Sequence, residues 1–340
     1  MEETKSEGIL VGDIGGTNTR LAVSAVVKGS FHFVAEQTFA SREEPSLESA
    51  LRKFLSGLSQ PITRAAFGVA GPVRQGRCEA TNLPWVIDSR ELARQLHLPR
   101  VGLMNDWEAG AYGINALEEK DFEVLNPGAP NPQGNRAVIA AGTGLGEVGL
   151  VWDGREHRPF GSEGGHADFA PRNHLEMGLL DYLLKRHPRV SAERVICGQG
   201  LYNIYKFLLD KEQEEEPRWL VDQLRLKDPP AVISENALAG KSPLCMEALD
   251  LFVSLYGAEA GNLALKVMAT GGVYLGGGIA PKILPKLKEP VFMNAFTAKG
   301  RMRPLLQSMP VRVILNTKVA LLGAARYAMG ACRSRVGPTP

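Results

Sequence analysis

Three groups of residues carry functional groups suited to chemistry. The first is the run Gly12, Asp13, Ile14, Gly15, Gly16, Thr17 and Asn18. Glycines let a backbone approach a ligand closely and turn its N–H groups toward an anion. Thr17 and Asn18 add hydrogen-bond donors, and Asp13 sets a carboxylate beside the anion. A carboxylate next to phosphate is unfavourable unless a cation stands between them, so Mg²⁺ is implied. A hairpin turn that merely happens to be glycine-rich is the plainer account, but the combination of Asp, two Gly and Thr favours phosphate. Neither G-x-x-x-x-G-K-[ST] nor a G-x-G-x-x-G after the first strand is present, which excludes Walker-type and Rossmann nucleotide sites. A second glycine turn, Gly142, Thr143, Gly144 and Gly146, is weak alone and gains weight by matching the first.

The second group is Asn105 and Asp106, at the end of an apolar run where α/β sheets gather ligands. Asp106 is suited to accept a proton from a substrate hydroxyl. It is equally suited to cap the helix that Glu108 helps to start, and the segment alone leaves the two readings even. The third group is Gly161 to His166, where Glu163 and His166 flank two glycines and can hydrogen-bond sugar hydroxyls. His166 has no second His or Cys at ligand spacing, so zinc is not expected. Glu193 follows Ser191 in an apparent first helical turn, and its residue-level reading is favourable charge placement at a helix N-terminus.

These groups need elements to hold them. Ile9 to Val11 and Leu21 to Val23 read as strands joined by the first glycine turn. Ser46 to Leu58 places apolar residues at helical spacing. Ala65 to Ala70 and Val101 to Met104 read as strands, and Glu108 to Leu117 as a helix. Ala137 to Ala141 and Val148 to Trp152 repeat the strand–turn–strand device, and aligning Gly15 with Gly144 superposes the two units. Met246 to Met268 reads as one long helix or a broken pair, with Gly257 and Gly261 where backbones approach. Val273 to Leu275 is a strand, Gly276 to Gly278 a loop, and Pro281 suits the first turn of a helix. A last helix runs from Val319 to Met329 and ends at Gly330, and the tail from Gly337 to Pro340 is expected to fray. Alternating strands and helices make the class α/β.

Bulk properties set limits. A length of 340 residues favours two domains. A net charge of +2, without a basic stripe, gives no nucleic-acid footprint. The charge run from Lys211 to Glu216 reads as a solvated loop or helix end. The polar start from Met1 to Gly8 lacks a signal-peptide apolar stretch. Gly261 to Ala280 is too broken by glycines to cross a bilayer. Cys78, Cys197, Cys245 and Cys332 are widely spaced, as reduced thiols in a cytoplasmic protein are.

In order, these segments resemble the bacterial-type glucokinase family, within the superfamily of sugar kinases, actin and heat-shock chaperones. The resemblance rests on Gly12 to Asn18, Asn82 to Trp85, Leu103 to Asp106, Gly142 to Gly146, Gly161 to His166, Glu193 to Gly200 and Gly271 to Gly278. It implies a two-domain actin-like ATPase (ribonuclease H-like) fold with an active-site cleft between the domains. The small α/β domain would comprise 1–116 plus 316–340, and the large α/β domain 117–315. It implies phosphorylation of D-glucose by ATP and Mg²⁺, with Asp106 as the general base. Asn82, Asn105, Glu163, His166 and Glu193 would join Asp106 on the sugar. Gly12, Asp13, Ile14, Gly15, Gly16 and Thr17 would serve the phosphates, with Asp13 on Mg²⁺. Gly142, Thr143 and Gly144 would make the second phosphate contact, and Gly276, Gly277 and Gly278 would lie near the adenosine. Such enzymes close their domains around sugar and commonly form homodimers.

Related repressors and kinases carry a cysteine-rich zinc motif after Gly-Gly-His, and here the first cysteine after His166 is Cys197, alone. A sugar-responsive repressor is therefore not expected. Mannose, fructose or glucosamine as preferred sugar, and ADP or polyphosphate as donor, stay open. A non-catalytic sugar sensor would not need Asp106, and an actin-like or chaperone ATPase would turn over without sugar.

Overall fold

The computed structural model describes residues 7–129, 131–212 and 216–330. Cys332, the tail after Gly330, most of the polar start and the middle of the 211–216 charge run lie outside them. The chain divides into two compact units, 1–119 with 316–340 and 120–315.

The first unit begins with β1 (Gly8–Ile14), β2 (Asn18–Val27) and β3 (Ser30–Ala40). Helix α1 (Leu47–Leu55) follows, and Ser46 caps it by accepting from the Ser49 N–H. Next comes β4 (Ile62–Val69), then a small three-stranded sheet of β5 (Val73–Arg74), β6 (Arg77–Glu79) and β7 (Val86–Asp88). Helix α2 (Ser89–Gln95), β8 (Gly102–Asn105) and α3 (Asp106–Ile114) complete the run. The main sheet has the order β3-β2-β1-β4-β8. β1 pairs antiparallel with β2 and parallel with β4.

Alternation along β1 sends its residues to two cores. Leu10 and Ile14 pack with Leu47, Leu51 and Phe54 of α1. Ile9 and Val11 pack on the other face with Met104, Ala109, Leu321, Ala324 and Ala325. The last three belong to the C-terminal helix, Val319–Gly330, which returns to cover the sheet that the chain began. It crosses α3 at glycines. A Cβ on Gly113 would lie 2.0 Å from the Val319 carbonyl oxygen, and one on Gly323 1.7 Å from that of Ala109.

The second unit contains β9 (Phe122–Asn126), β10 (Arg136–Ala141), β11 (Leu145–Trp152) and β12 (His157–Ser162). Helices α4 (His174–Leu184), α5 (Gly198–Glu212), α6 (Arg218–Leu226), α7 (Pro229–Leu238) and α8 (Pro243–Val267) follow. Then come β13 (Gly272–Gly276), α9 (Leu284–Leu287), α10 (Pro290–Thr297), α11 (Arg303–Ser308) and β14 (Val311–Ile314). The sheet order is β12-β11-β10-β13-β14-β9. Its first five strands repeat the neighbour order of the first unit, three antiparallel strands followed by parallel ones. α8 is one unbroken helix, and its glycines do meet another backbone. A Cβ on Gly257 would stand 2.3 Å from the Phe292 carbonyl oxygen, and one on Gly261 2.5 Å from that of Phe296, both on α10.

Two expectations change, and two strands join those expected. The two glycine turns correspond at Gly15 and Gly142, not at Gly15 and Gly144. Ile14 and Ala141 each close their strand, and each carbonyl accepts from the N–H beyond the parallel neighbour, Ala70 (2.8 Å) and Ile279 (3.2 Å). Pro281 lies before a helix rather than in one. α9 begins at Leu284, and Pro285 occupies its first turn. Strands β3 and β12, which carry no long apolar run, join the two sheets beside β2 and β11.

Candidate active site

In the first unit, the β1–β2 turn is tied by a hydrogen bond from the Gly15 N–H to the Asn18 carbonyl (2.9 Å). Ser41 braces it from outside. Its hydroxyl donates to the Gly15 carbonyl (2.7 Å) and contacts the Thr19 hydroxyl (2.9 Å), while its N–H donates to the Thr17 carbonyl (2.9 Å). Gly15, Gly16 and Thr17 form the turn itself. Gly12 and Ile14 do not. Both are buried in β1, and a Cβ on Gly12 would lie 2.6 Å from the Phe67 ring. Gly12 is a packing glycine, and a phosphate would meet the three residues after Ile14.

Asp13 shares the sheet face of Ile9 and Val11 at the open end of β1, opposite Arg20 in register. Burial pushes its carboxyl up, and the Arg20 charge pulls it back. No group of three or more His, Cys, Asp or Glu able to hold a metal occurs among the described residues. A single carboxylate beside a phosphate turn is nonetheless the donor set Mg²⁺ accepts, because it keeps several waters and takes phosphate oxygens. The residues therefore fit Mg²⁺ bound with a nucleotide and not a metal caged by protein.

Asn82, Asn105 and Asp106 gather at the same end of the sheet. Asn82 adopts a left-handed φ of 63° between β6 and β7. A Cβ on Gly16 would be 3.4 Å from the Asn82 Cβ, which places Asn82 against the phosphate turn. Asn105 ends β8, and its amide nitrogen donates to the Gly71 carbonyl (3.2 Å). The cap at the start of α3 is the neighbour of Asp106. The Asn105 side-chain oxygen accepts from the Trp107 N–H (2.9 Å) and the Glu108 N–H (3.4 Å), so Asn105 is the cap. Asp106 is the first residue of α3 and also accepts from the Trp107 N–H (3.0 Å). Its negative charge is felt at buried Cys78, whose thiol is pushed up by burial, then by Asp106 and Glu79.

In the second unit, the Gly142 N–H donates to the Gly144 carbonyl (2.9 Å). The Gly142 carbonyl accepts from the N–H of Gly198, the first residue of α5 (2.9 Å). Gly277 lies alongside with φ +81°, and a Cβ there would stand 2.2 Å from the Ala141 carbonyl oxygen. Gly142 to Gly144, Gly276 to Gly278 and the α5 N-terminus thus form one glycine-lined shelf. The Gly198 end of α5 was not among the expected site residues.

Glu193 is tied to that shelf. Its Oε2 accepts from the Leu145 N–H (3.0 Å) and fills the space where a Cβ on Gly144 would fall. Its Oε1 lies 4.0 Å from the Nδ1 of His166, whose Nε2 is 4.0 Å from the Oε2 of Glu163. Glu163 and His166 are exposed and Glu193 half-buried, so two carboxylates flank one imidazole with polar atoms open to a polyhydroxyl ligand. Below them lies Glu147 of β11, which sequence reading passed over. It is buried, and burial, with the nearby Glu259 charge, pushes its carboxyl up to about 7 against the pull of Lys266.

A duplicated sheet order, a glycine turn between the first two strands of each sheet hairpin and an acidic Gly-Gly-His loop define the actin-like ATPase fold in its sugar-kinase form. Structural likeness agrees. The glucokinase of an Antarctic psychrotroph superposes with a TM-score of 0.83 at 32% identity, covering 95% of this chain and 99% of that one. The chain belongs to the glucokinase family, whose model matches residues 10–331. The glucokinase of Nostoc sp. (strain PCC 7120) is 44% identical over 93% of this chain and 97% of its own length. That of Synechocystis sp. (strain PCC 6803) is 41% identical over 93% and 96%. A glucokinase from Streptomyces griseus, solved with glucose and AMPPNP, shares the fold at a TM-score of 0.66 and 21% identity, covering 95% of this chain and 99% of that one. No helix among the described residues is long and apolar enough to cross a membrane.

Proposed function

We propose that this protein phosphorylates D-glucose at its 6-hydroxyl with ATP, using Asp106 as the general base. The observation that carries the reading is the division of labour at the start of α3. Because Asn105 caps the helix, the Asp106 carboxylate is not consumed as the cap. A carboxylate just past the C-terminal end of β8 is suited to take the hydroxyl proton as the oxygen attacks phosphorus. Positioning supplies most of the remaining acceleration. Glu163, His166 and Glu193 bind other glucose hydroxyls, joined by Asn82 and by the second amide hydrogen of Asn105. The N–H groups of Gly15, Gly16 and Thr17 bind ATP phosphates, and Gly142, Thr143 and Gly144 make the second contact. Gly276, Gly277 and Gly278 sit by the adenosine. Asp13 would hold Mg²⁺, which when bound neutralises phosphate charge. ATP as donor is supported by the AMPPNP found in the Streptomyces griseus relative. Free buried thiols at Cys78, Cys197 and Cys245 support a cytoplasmic location. A homodimer is proposed on the family resemblance.

The test pairs turnover with binding. Asp106→Asn and Asp106→Ala should lose turnover by about 10²–10⁴-fold while still binding glucose in a titration. Near-normal turnover in either variant would overturn the base assignment. A hexose panel with ATP and Mg²⁺ should give glucose the highest kcat/KM, and a higher value for mannose, fructose or glucosamine would overturn the sugar assignment.

A further inference from the structure

The loop proposed to hold the sugar rests directly on Glu147. A Cβ on Gly164 would fall 2.1 Å from the Glu147 Oε2, and one on Gly165 2.1 Å from the Leu145 carbonyl oxygen. The two glycines of this loop are therefore dictated by β11 beneath them. Ser162 stands opposite Glu147 across the β11–β12 pair, and its hydroxyl accepts from the Gly164 N–H (2.9 Å). The Glu147 Oε1 is buried with no hydrogen-bond partner among the described residues. An orphaned buried carboxylate oxygen is costly and calls for an explanation.

We propose that Glu147 is a positioning residue for the hexose: its neutral carboxyl seats Gly164 and thereby fixes Glu163 and His166, and its ionisation loosens that seat. The inference rests on the reading of Gly161 to His166 as the sugar loop. A neutral carboxyl tolerates a dry slot with one oxygen unpaired far better than a carboxylate does. The surroundings offer the charged form little help. From α8, Glu259 repels it, and Lys266 is already 3.7 Å from Glu259. Lys299, beyond α10, is bound to the Ala258 carbonyl and to Asn262, and burial lowers its own affinity for a proton. The loop itself contributes Glu163 and His166, with Glu193 next to it, and two of these three are acidic. Ionised Glu147 must draw water beneath the loop, and the Gly164 backbone is the part free to yield.

Neutral Glu147 thus marks the binding-competent fraction, which halves near pH 7 and falls about tenfold per pH unit above it. Sugar KM in the wild type should rise by up to about tenfold at one pH unit above that midpoint, with kcat at saturating sugar little changed. The decisive comparison is with Glu147→Gln, which keeps the shape and is permanently neutral. KM and kcat for glucose are measured between pH 6 and pH 8.5 in both proteins. Glu147→Gln should flatten the rise in KM. Glu259→Gln, which leaves the loop untouched, should move the midpoint of the rise to lower pH by removing a repelling charge. Parallel KM profiles in wild type and Glu147→Gln, or an unmoved midpoint in Glu259→Gln, would overturn the proposal. Glu163→Gln separates the two layers of the argument. If it leaves glucose KM unchanged, the sugar-loop reading itself fails. If it raises KM while Glu147→Gln changes nothing, only the role of Glu147 fails.

Discussion

The same carboxyl has a thermodynamic consequence that needs no substrate. Glu147 has its proton affinity raised from an ordinary 4.5 to about 7 in the folded chain. Between those values the folded protein keeps the proton and the unfolded chain has released it. The folded state binds more protons across that window, so stability falls as pH rises through it. The contribution is intact below about 4.5 and lost above about 7. A shift of that size corresponds to about 3 kcal/mol, most of which is spent between pH 5 and pH 8. Glu147→Gln has no proton to lose, so its stability relative to wild type should improve by roughly 2–3 kcal/mol on going from pH 5 to pH 8. Urea unfolding at several pH values measures this, followed with a probe in 120–315, because a chain of two units need not unfold in one step. Parallel pH dependence in the two proteins would refute the reasoning, whatever the absolute cost of the substitution at any single pH.

Two further substitutions test the first unit. Gly323→Ala places a methyl group in the Ala109 carbonyl where the C-terminal helix crosses α3, and should cost about 1–3 kcal/mol in denaturant unfolding despite alanine's better helix propensity. Asn105→Ala removes the α3 cap and should cost about 1 kcal/mol, most of which Asn105→Asp restores in the same assay.

Much of this architecture is legible in the sequence where local signals agree. The β1–β2 and β10–β11 hairpins announce themselves by apolar runs around glycine turns, and Ser46 marks the start of α1. The periodic stretch around Gly257 and Gly261 gives α8 because helix propensity and burial point the same way. What is illegible depends on partners distant in sequence. β12 is His-Arg-Pro-Phe-Gly-Ser, and its pairing with β11 makes it a strand at the sheet edge, where a proline is tolerated. β3 alternates weakly and is mostly exposed, so no apolar run marks it. Asn105 and Asp106 are both of a type that caps helices, and only the register of one residue decides which serves as the N-cap and which is the first residue of the helix. Glu147 sits in a strand otherwise made of glycine and apolar residues, which is the one local hint of its burial. That it lies under Gly164 is a tertiary fact with no sequence signature.

The return of the C-terminal helix also fixes an order of events during synthesis. The face of the first sheet bearing Ile9, Val11, Ala22, Ala66 and Met104 is covered by Leu321, Ala324, Ala325 and Ala328. A ribosome must make all of 120–315 before that cover exists. At about 5–20 residues per second, the nascent first unit waits on the order of tens of seconds with that apolar face covered only in part, by α3. The other face, closed by α1, has its partner almost at once. The first unit is thus begun early and finished last, with part of that face exposed throughout the interval.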